Sequence, residues 1–183
     1  DGVTTIEGFA FYDCRSLTSV TIPKSVTTIG LKAFDGCDSL FNDDDNIEYV
    51  GDVLVGVKDE TLTSYRIKEG TRIIGNDAFT GCSNLTSITI PDSVTSIGES
   101  AFSNCKSLTN IVIPEGITAI LMDTFYGCEA LKSVTIPDSV KSIGYYAFQY
   151  CRALQTLIIG NGVKSIANYA FDWCESLQSV TIP

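Results

Sequence analysis

The chain is 183 residues long and 44% hydrophobic, with a formal charge of −10 and no histidine. That length and apolar content suit a single domain with a substantial core, and no apolar run approaches the roughly 20 residues that span a bilayer. The acidic balance excludes a surface built to neutralise rows of phosphates or to dock on anionic lipid, and the missing histidine removes the commonest general base and zinc ligand.

In chain order, residues 1–14 read as the second half of a repeating unit, with Val3, Ile6, Ala10, Phe11 and Cys14 in register. The start at Asp1-Gly2-Val3, without initiator methionine or apolar leader, reads as a processed or truncated N-terminus. A complete unit covers residues 17–37. Residues 41–64 break the pattern, and Val53-Leu54-Val55 with residues 61–67, on either side of Lys58-Asp59-Glu60, read as a β-hairpin. Register returns at Ile67, and four further copies end at Cys105, Cys128, Cys151 and Cys174. Regular repeats therefore occupy 1–40 and 65–183 of one array, with an irregular hairpin unit at 41–64. Neither end carries the polar cap a solenoid needs, so the chain reads as a fragment of a longer protein.

The repeat is defined by three columns of residues. Cysteines stand at 14, 37, 82, 105, 128, 151 and 174, spaced by 23 residues except for one gap of 45, two periods less one. Each is preceded three positions earlier by a phenylalanine, at 11, 34, 79, 102, 125, 148 and 171. Pro23, Pro91, Pro114, Pro137, Gly160 and Pro183 keep the same rhythm. A fixed period of this length means a solenoid.

The most regular copy, LTSITIPDSVTSIGESAFSNC, starts at Leu85. Leu85, Ile88 and Ile90 can face inward while Thr86, Ser87 and Thr89 face out, which predicts a short strand that Pro91 ends. Val94 and Ile97 enter the core from a second extended stretch. Ala101, Phe102 and Cys105 suit one helical or 3₁₀ turn that brings the chain back. The fold class is therefore a β-rich repeat solenoid.

The unit LxxVTIPxSVxxIGxxAFxxCxx closely resembles the BspA-type leucine-rich repeat over essentially the whole chain. The stretch Gly51-Asp52-Val53-Leu54 resembles the irregular unit interspersed in that family's arrays. The resemblance implies a right-handed curved leucine-rich-repeat solenoid with a hairpin insertion, no enzymatic activity, and roles in adhesion at the cell surface. Leu121 and Ala167 at the glycine position, Thr124 at the alanine position and Gly160-Asn161-Gly162 in place of Pro-Asp-Ser depart from the pattern.

Chemistry-bearing features are few. The cysteines lack the clustered spacing of thiolate metal sites, and equivalent side chains in a stack point the same way, which is poor disulfide geometry; they read as buried free thiols. The phenylalanines read as a core spine. The run Asn42-Asp43-Asp44-Asp45-Asn46 supplies oxygen ligands for calcium without the spacing of an EF-hand loop, and reads as a solvated turn. The outward strand positions, such as Thr86, Ser87, Thr89 and Lys132, are small and nearly uncharged. No nucleophile elbow, phosphate loop or metal cluster marks an enzyme, and no cofactor is expected.

The sharper signal is aromatic. Tyr146 shares a column with Tyr169 and Tyr150 with Trp173, where earlier copies hold Asp77, Gly81, Ser100 and Asn104. Tyr126, Tyr145 and Met122 border them, and one helical turn would gather the group into a patch. These residues are the candidate contact surface for a protein partner or a glycan. The expected function is a non-enzymatic extracellular or cell-surface interaction module; the alternative is a spacer array with no ligand of its own.

Overall fold

A computed structural model of the protein describes residues 2–41 and 46–183, so all but the last member of the acidic run 42–46 falls outside the described residues. The chain winds into stacked coils, each contributing to two parallel ladders and a turn side. Inward strand residues at every second position explain the first ladder: Ser133–Ile136 pairs in parallel with Thr156–Ile159, Ser133 opposite Thr156, and Thr156–Ile159 pairs with Val180–Thr181. The second ladder runs Ala119–Ile120, Ser142–Ile143, Ser165–Ile166, again with partners one period apart. Leu85, Ile88, Ile90, Val94 and Ile97 are all buried, as the alternation predicts, whereas Thr86, Ser87 and Thr89 are exposed.

The turn side carries the packing spine. Phe79, Phe102, Phe125, Phe148 and Phe171 stack ring on ring at 5.0–5.5 Å between successive centroids. Truncating Phe102, which is fully buried, to alanine should remove about 3–5 kcal/mol, a large part of an ordinary domain's stability. Main-chain bonding on this side alternates. The N–H groups of Ala101, Ser103 and Cys105 close tight turns within the coil, while those of Ser100, Phe102 and Asn104 donate to the carbonyls of Met122, Thr124 and Tyr126 in the next coil. Ser100 and Asn104 achieve this with φ of 54° and 58°. The left-handed residues interrupt any helical run, so this side is a double turn; helix among the described residues is confined to the 3₁₀ segment Asp38–Leu40.

The irregular unit differs from the pairing expected from sequence. The hairpin is formed by Ile47–Val50 and Val53–Val57, antiparallel around Gly51-Asp52, and not by Val53-Leu54-Val55 with residues 61–67. Gly51 has φ of 63°, the conformation a tight hairpin turn demands and glycine adopts without steric cost. Ser64–Arg66 instead joins the first ladder, in parallel with Ser87–Thr89, because its one-period offset restores the repeat register there.

The hairpin also divides the core. Ile47 and Leu54 pack with the large cluster that runs on to Ala170, while Val50 and Val53 pack with Val26, Ile29, Phe34 and Ile73. Both of its faces are thus buried, one against each part of the array. Arg72 holds the seam: its Nε donates to Asp52 Oδ2 at 3.1 Å and its Nη1 to the Val26 carbonyl.

Candidate functional site

The aromatic residues come from the turn side of the last coils. Tyr146 stacks on Tyr169 at 5.3 Å with rings 5° apart, and Tyr150 lies over Trp173 at 6.0 Å. Tyr126 meets Tyr150 edge to face at 5.5 Å, and Tyr145 leans on Tyr146 at 6.5 Å. All six candidates are therefore in ring contact, but as two groups: Tyr145, Tyr146 and Tyr169, and Tyr126, Tyr150 and Trp173. The helical turn expected from the sequence does not form, and the double turn sends positions 146 and 150 into separate columns. A polar row lies between them, where Gln149 Nε2 donates to Asp172 Oδ2 at 2.6 Å. Ser103, Asp123, Tyr126, Tyr146 and Gln149 line a shallow depression of about 380 Å³ that links the columns. Burial raises the Asp123 carboxyl above its ordinary value, with a smaller contribution from Asp77.

Local backbone geometry makes these positions unusual. Tyr146, Tyr150, Tyr169 and Trp173 have φ of 57°, 62°, 61° and 57°. The repeat places left-handed backbone at these two positions in every coil, holding Asp13, Gly36, Asp77, Gly81, Asn104, Asp123 and Gly127 in some copies and Phe9, Lys32 and Ser100 in others. A large ring there costs roughly 1 kcal/mol or more per residue. Yet Tyr145 remains 53% exposed and Met122 beside it 40%, while Tyr146 and Tyr150, each covered by the following coil, are half-buried. The sequence carries this signal: aromatics replace Asp and Ser in one fixed column and Gly and Asn in another.

The other sequence candidates resolve differently. The threonines of the strand face are partly engaged in the fold, since Thr86 Oγ1 donates to the Thr63 carbonyl and Thr109 Oγ1 to the Thr86 carbonyl. Val112 and Ile158 are large apolar side chains exposed on that face, at 79% and 56%. All seven cysteines are free thiols; Cys14 is exposed, Cys174 half-buried and the other five buried. Among the described residues, no three His, Cys, Asp or Glu side chains converge as a metal site would require. Among them, too, no helix is long and apolar enough to cross a membrane.

Stacked coils, two parallel ladders and a phenylalanine–cysteine spine define a leucine-rich-repeat array. Residues 1–52 and 57–178 match the model of the BspA type leucine rich repeat region in six copies, and the chain belongs to that family. No curated protein matches. Among solved structures, a leucine rich cell surface protein from Faecalibacterium prausnitzii A2-165 is 32% identical, with a TM-score of 0.71 over 97% of this chain and 51% of its own. The leucine rich repeat protein of T. pallidum, also 32% identical, aligns with a TM-score of 0.59 over 97% of this chain and 74% of its own. The pneumococcal vaccine antigen PcpA, at 24% identity and a TM-score of 0.60 over 97% of this chain and 48% of its own, shares the fold. The chain thus spans about half the length of the first of these.

Proposed function

We propose that the chain is a non-enzymatic adhesion module, displayed at the cell surface or secreted, whose two aromatic columns engage a partner protein. The observation that carries this reading is the placement of Tyr146, Tyr150, Tyr169 and Trp173 in left-handed backbone, where smaller residues fit without strain. The repeat imposes this conformation in every coil, so the choice of large rings for it in two successive coils is what folding leaves unexplained. Partly exposed tyrosine rings held rigid by stacking lose little entropy on contact, which is why such residues anchor interfaces. The Faecalibacterium cell surface protein, similar over nearly the whole chain, supports an extracellular setting.

The experiment is a pull-down from cell-surface and matrix extracts, comparing the native chain with Tyr150→Asn combined with Trp173→Asn. Loss of specific captured protein with retained folding supports the reading. Identical capture by both proteins overturns it.

A further inference from the structure

The turn-side ladder is continuous on both sides of the hairpin and interrupted at it. In the first coil, the N–H groups of Phe9, Phe11 and Asp13 donate to the carbonyls of Leu31, Ala33 and Asp35 at 2.8–2.9 Å. Beyond the hairpin, those of Asp77, Phe79 and Gly81 donate to Glu99, Ala101 and Ser103. By the same register, the N–H groups of Lys32, Phe34 and Gly36 and the carbonyls of Asn76, Ala78 and Thr80 should meet partners across the break. Among the described residues none is hydrogen-bonded there. The ring spine stops as well, with Phe34 stacked on Phe11 but not on Phe79.

Between these rows lies a cleft of about 510 Å³, the size of an ordinary ligand pocket. Lys32 and Phe34 line one wall, Asn76, Ala78 and Thr80 the other, and Val55, Gly56 and Val57 of the hairpin line it between them. One wall offers main-chain donors and the opposite wall main-chain acceptors. Unpaired main-chain groups in a partly buried setting favour any partner that satisfies them in order. A small neutral molecule would satisfy one or two; a peptide main chain, with carbonyls on one side and N–H groups on the other, satisfies the row. Four carboxylates, Asp35, Glu48, Glu60 and Asp77, line the cleft against Lys32 and Lys58, and Lys32 is already paired with Asp35 at 3.6 Å. The excess of negative charge favours a basic segment.

We propose that this cleft is a peptide-binding site that takes about five residues of a partner protein, including a lysine or arginine, as the missing rung of the turn-side ladder. Recognition is β-augmentation in kind: main-chain bonds supply affinity, while the acidic lining selects sequence. The site is separate from the aromatic columns and does not depend on them.

The test uses synthetic heptapeptides as probes: GESAFSN, the sequence of residues 98–104 that fills this slot in a regular coil, and its version with lysine replacing the glutamate. Amide hydrogen exchange of the free protein should be fast at Lys32, Phe34 and Gly36 and slow at Phe102. Adding the lysine peptide should slow exchange at these three amides, and at least about tenfold weaker binding is expected for the glutamate peptide. Gly56→Val should abolish binding, since its added Cβ meets only the movable Glu48 carboxylate, at 3.1 Å, and the methyls would fill the cleft. Protection at Phe102 should persist in that variant, showing that it folds. Asp77→Asn with Glu48→Gln should remove the preference for lysine. Slow exchange at Lys32 and Phe34 in the free monomer would mean that the chain fills its own cleft, and would overturn the proposal. Protection that grows with protein concentration would assign the cleft to a second copy and overturn it too. So would peptide binding unaffected by Gly56→Val, or failure of both peptides to alter exchange at millimolar concentration.

Discussion

Cys105 donates its thiol hydrogen to the main-chain oxygen of Phe79, 3.2 Å away in the preceding coil. The same bond joins Cys128 to Phe102, Cys151 to Phe125 and Cys174 to Phe148. Each of these phenylalanine carbonyls also accepts the N–H of the cysteine three residues on. The cysteine column is therefore a row of small apolar side chains that each carry one donor. Cys105→Ala should cost about 1–2 kcal/mol, the lost bond plus a small void. Cys105→Val should cost a similar amount by overpacking. Denaturant unfolding checks both, and an unchanged midpoint in the alanine variant would remove the bond from the account.

The same burial controls thiol chemistry. It pushes Cys82 and Cys174 up to about 11, and Cys105, Cys128 and Cys151 higher still, so the reactive thiolate is scarce at neutral pH. Exposed Cys14 should alkylate first in the native protein, half-buried Cys174 slowly, and the rest only on unfolding. Peptide mapping after timed labelling reads this order. Labelling of Cys128 as early as Cys14 would contradict it.

The repeat, its period and its inward residues were legible from the sequence because three residue types keep one rhythm. The hairpin was placed too late by sequence. Val53-Leu54-Val55 is a strand as its composition implies, but its partner is Ile47–Val50 upstream and not residues 61–67, whose β-rich composition marks a ladder strand. The aromatic columns were legible as substitutions, but their separation was not. It depends on left-handed φ at Tyr146 and Tyr150, and aromatic residues do not announce that conformation as glycine or asparagine would. The interrupted ladder had no sequence signature beyond a missing Phe–Cys pair.

Stability should rise on mild acidification. Burial raises the carboxyls of Glu48, Asp77 and Asp123, so the folded chain binds protons at a higher pH than the unfolded chain. Where the native state binds more protons, unfolding free energy falls as pH rises. The effect should act from the ordinary carboxylate range up to these raised values, and the net charge of −10 shrinks in the same direction. The melting temperature should therefore increase from pH 7 to pH 5. Glu48→Gln with Asp77→Asn should flatten that rise. A melting temperature that falls steadily over the same interval would oppose it.

Arg72 should be the most costly exposed-rim charge to remove. Its side chain is 17% exposed and bridges Asp52 of the hairpin turn to the Val26 carbonyl. Arg72→Met keeps the apolar stem and leaves both acceptors without their partner. A loss of about 2 kcal/mol is expected, discounted for the partial exposure of Asp52. Hydrogen exchange should show the loss concentrated in the coils before the hairpin, because the staple ties Val26 and the hairpin turn around the smaller core cluster. A uniform loss across the array would place the effect elsewhere.

The aromatic columns yield a prediction in which stability and binding part company. In most interfaces a truncated aromatic loses packing, so binding and folding weaken together. Here Tyr150 and Trp173 sit at φ of 62° and 57°, a region asparagine tolerates and already occupies at Asn104. Asparagine at both positions relieves backbone strain of roughly 1 kcal/mol or more per residue and forfeits the Tyr150–Trp173 stack and the Tyr126–Tyr150 edge contact, each worth about 0.5–1.5 kcal/mol. These terms nearly cancel, so the melting temperature should hold. Partner affinity should fall by about 2 kcal/mol or more if these rings are anchors, a reduction of roughly thirtyfold. Serine at the same positions separates the two contributions, since it forfeits the stack equally but fits left-handed backbone less well. Greater stability of the asparagine than of the serine variant, with equal loss of binding in both, is the expected pattern. A marked drop in melting temperature for the asparagine variant would mean that the stack outweighs the strain, and that the rings serve the array's own cohesion.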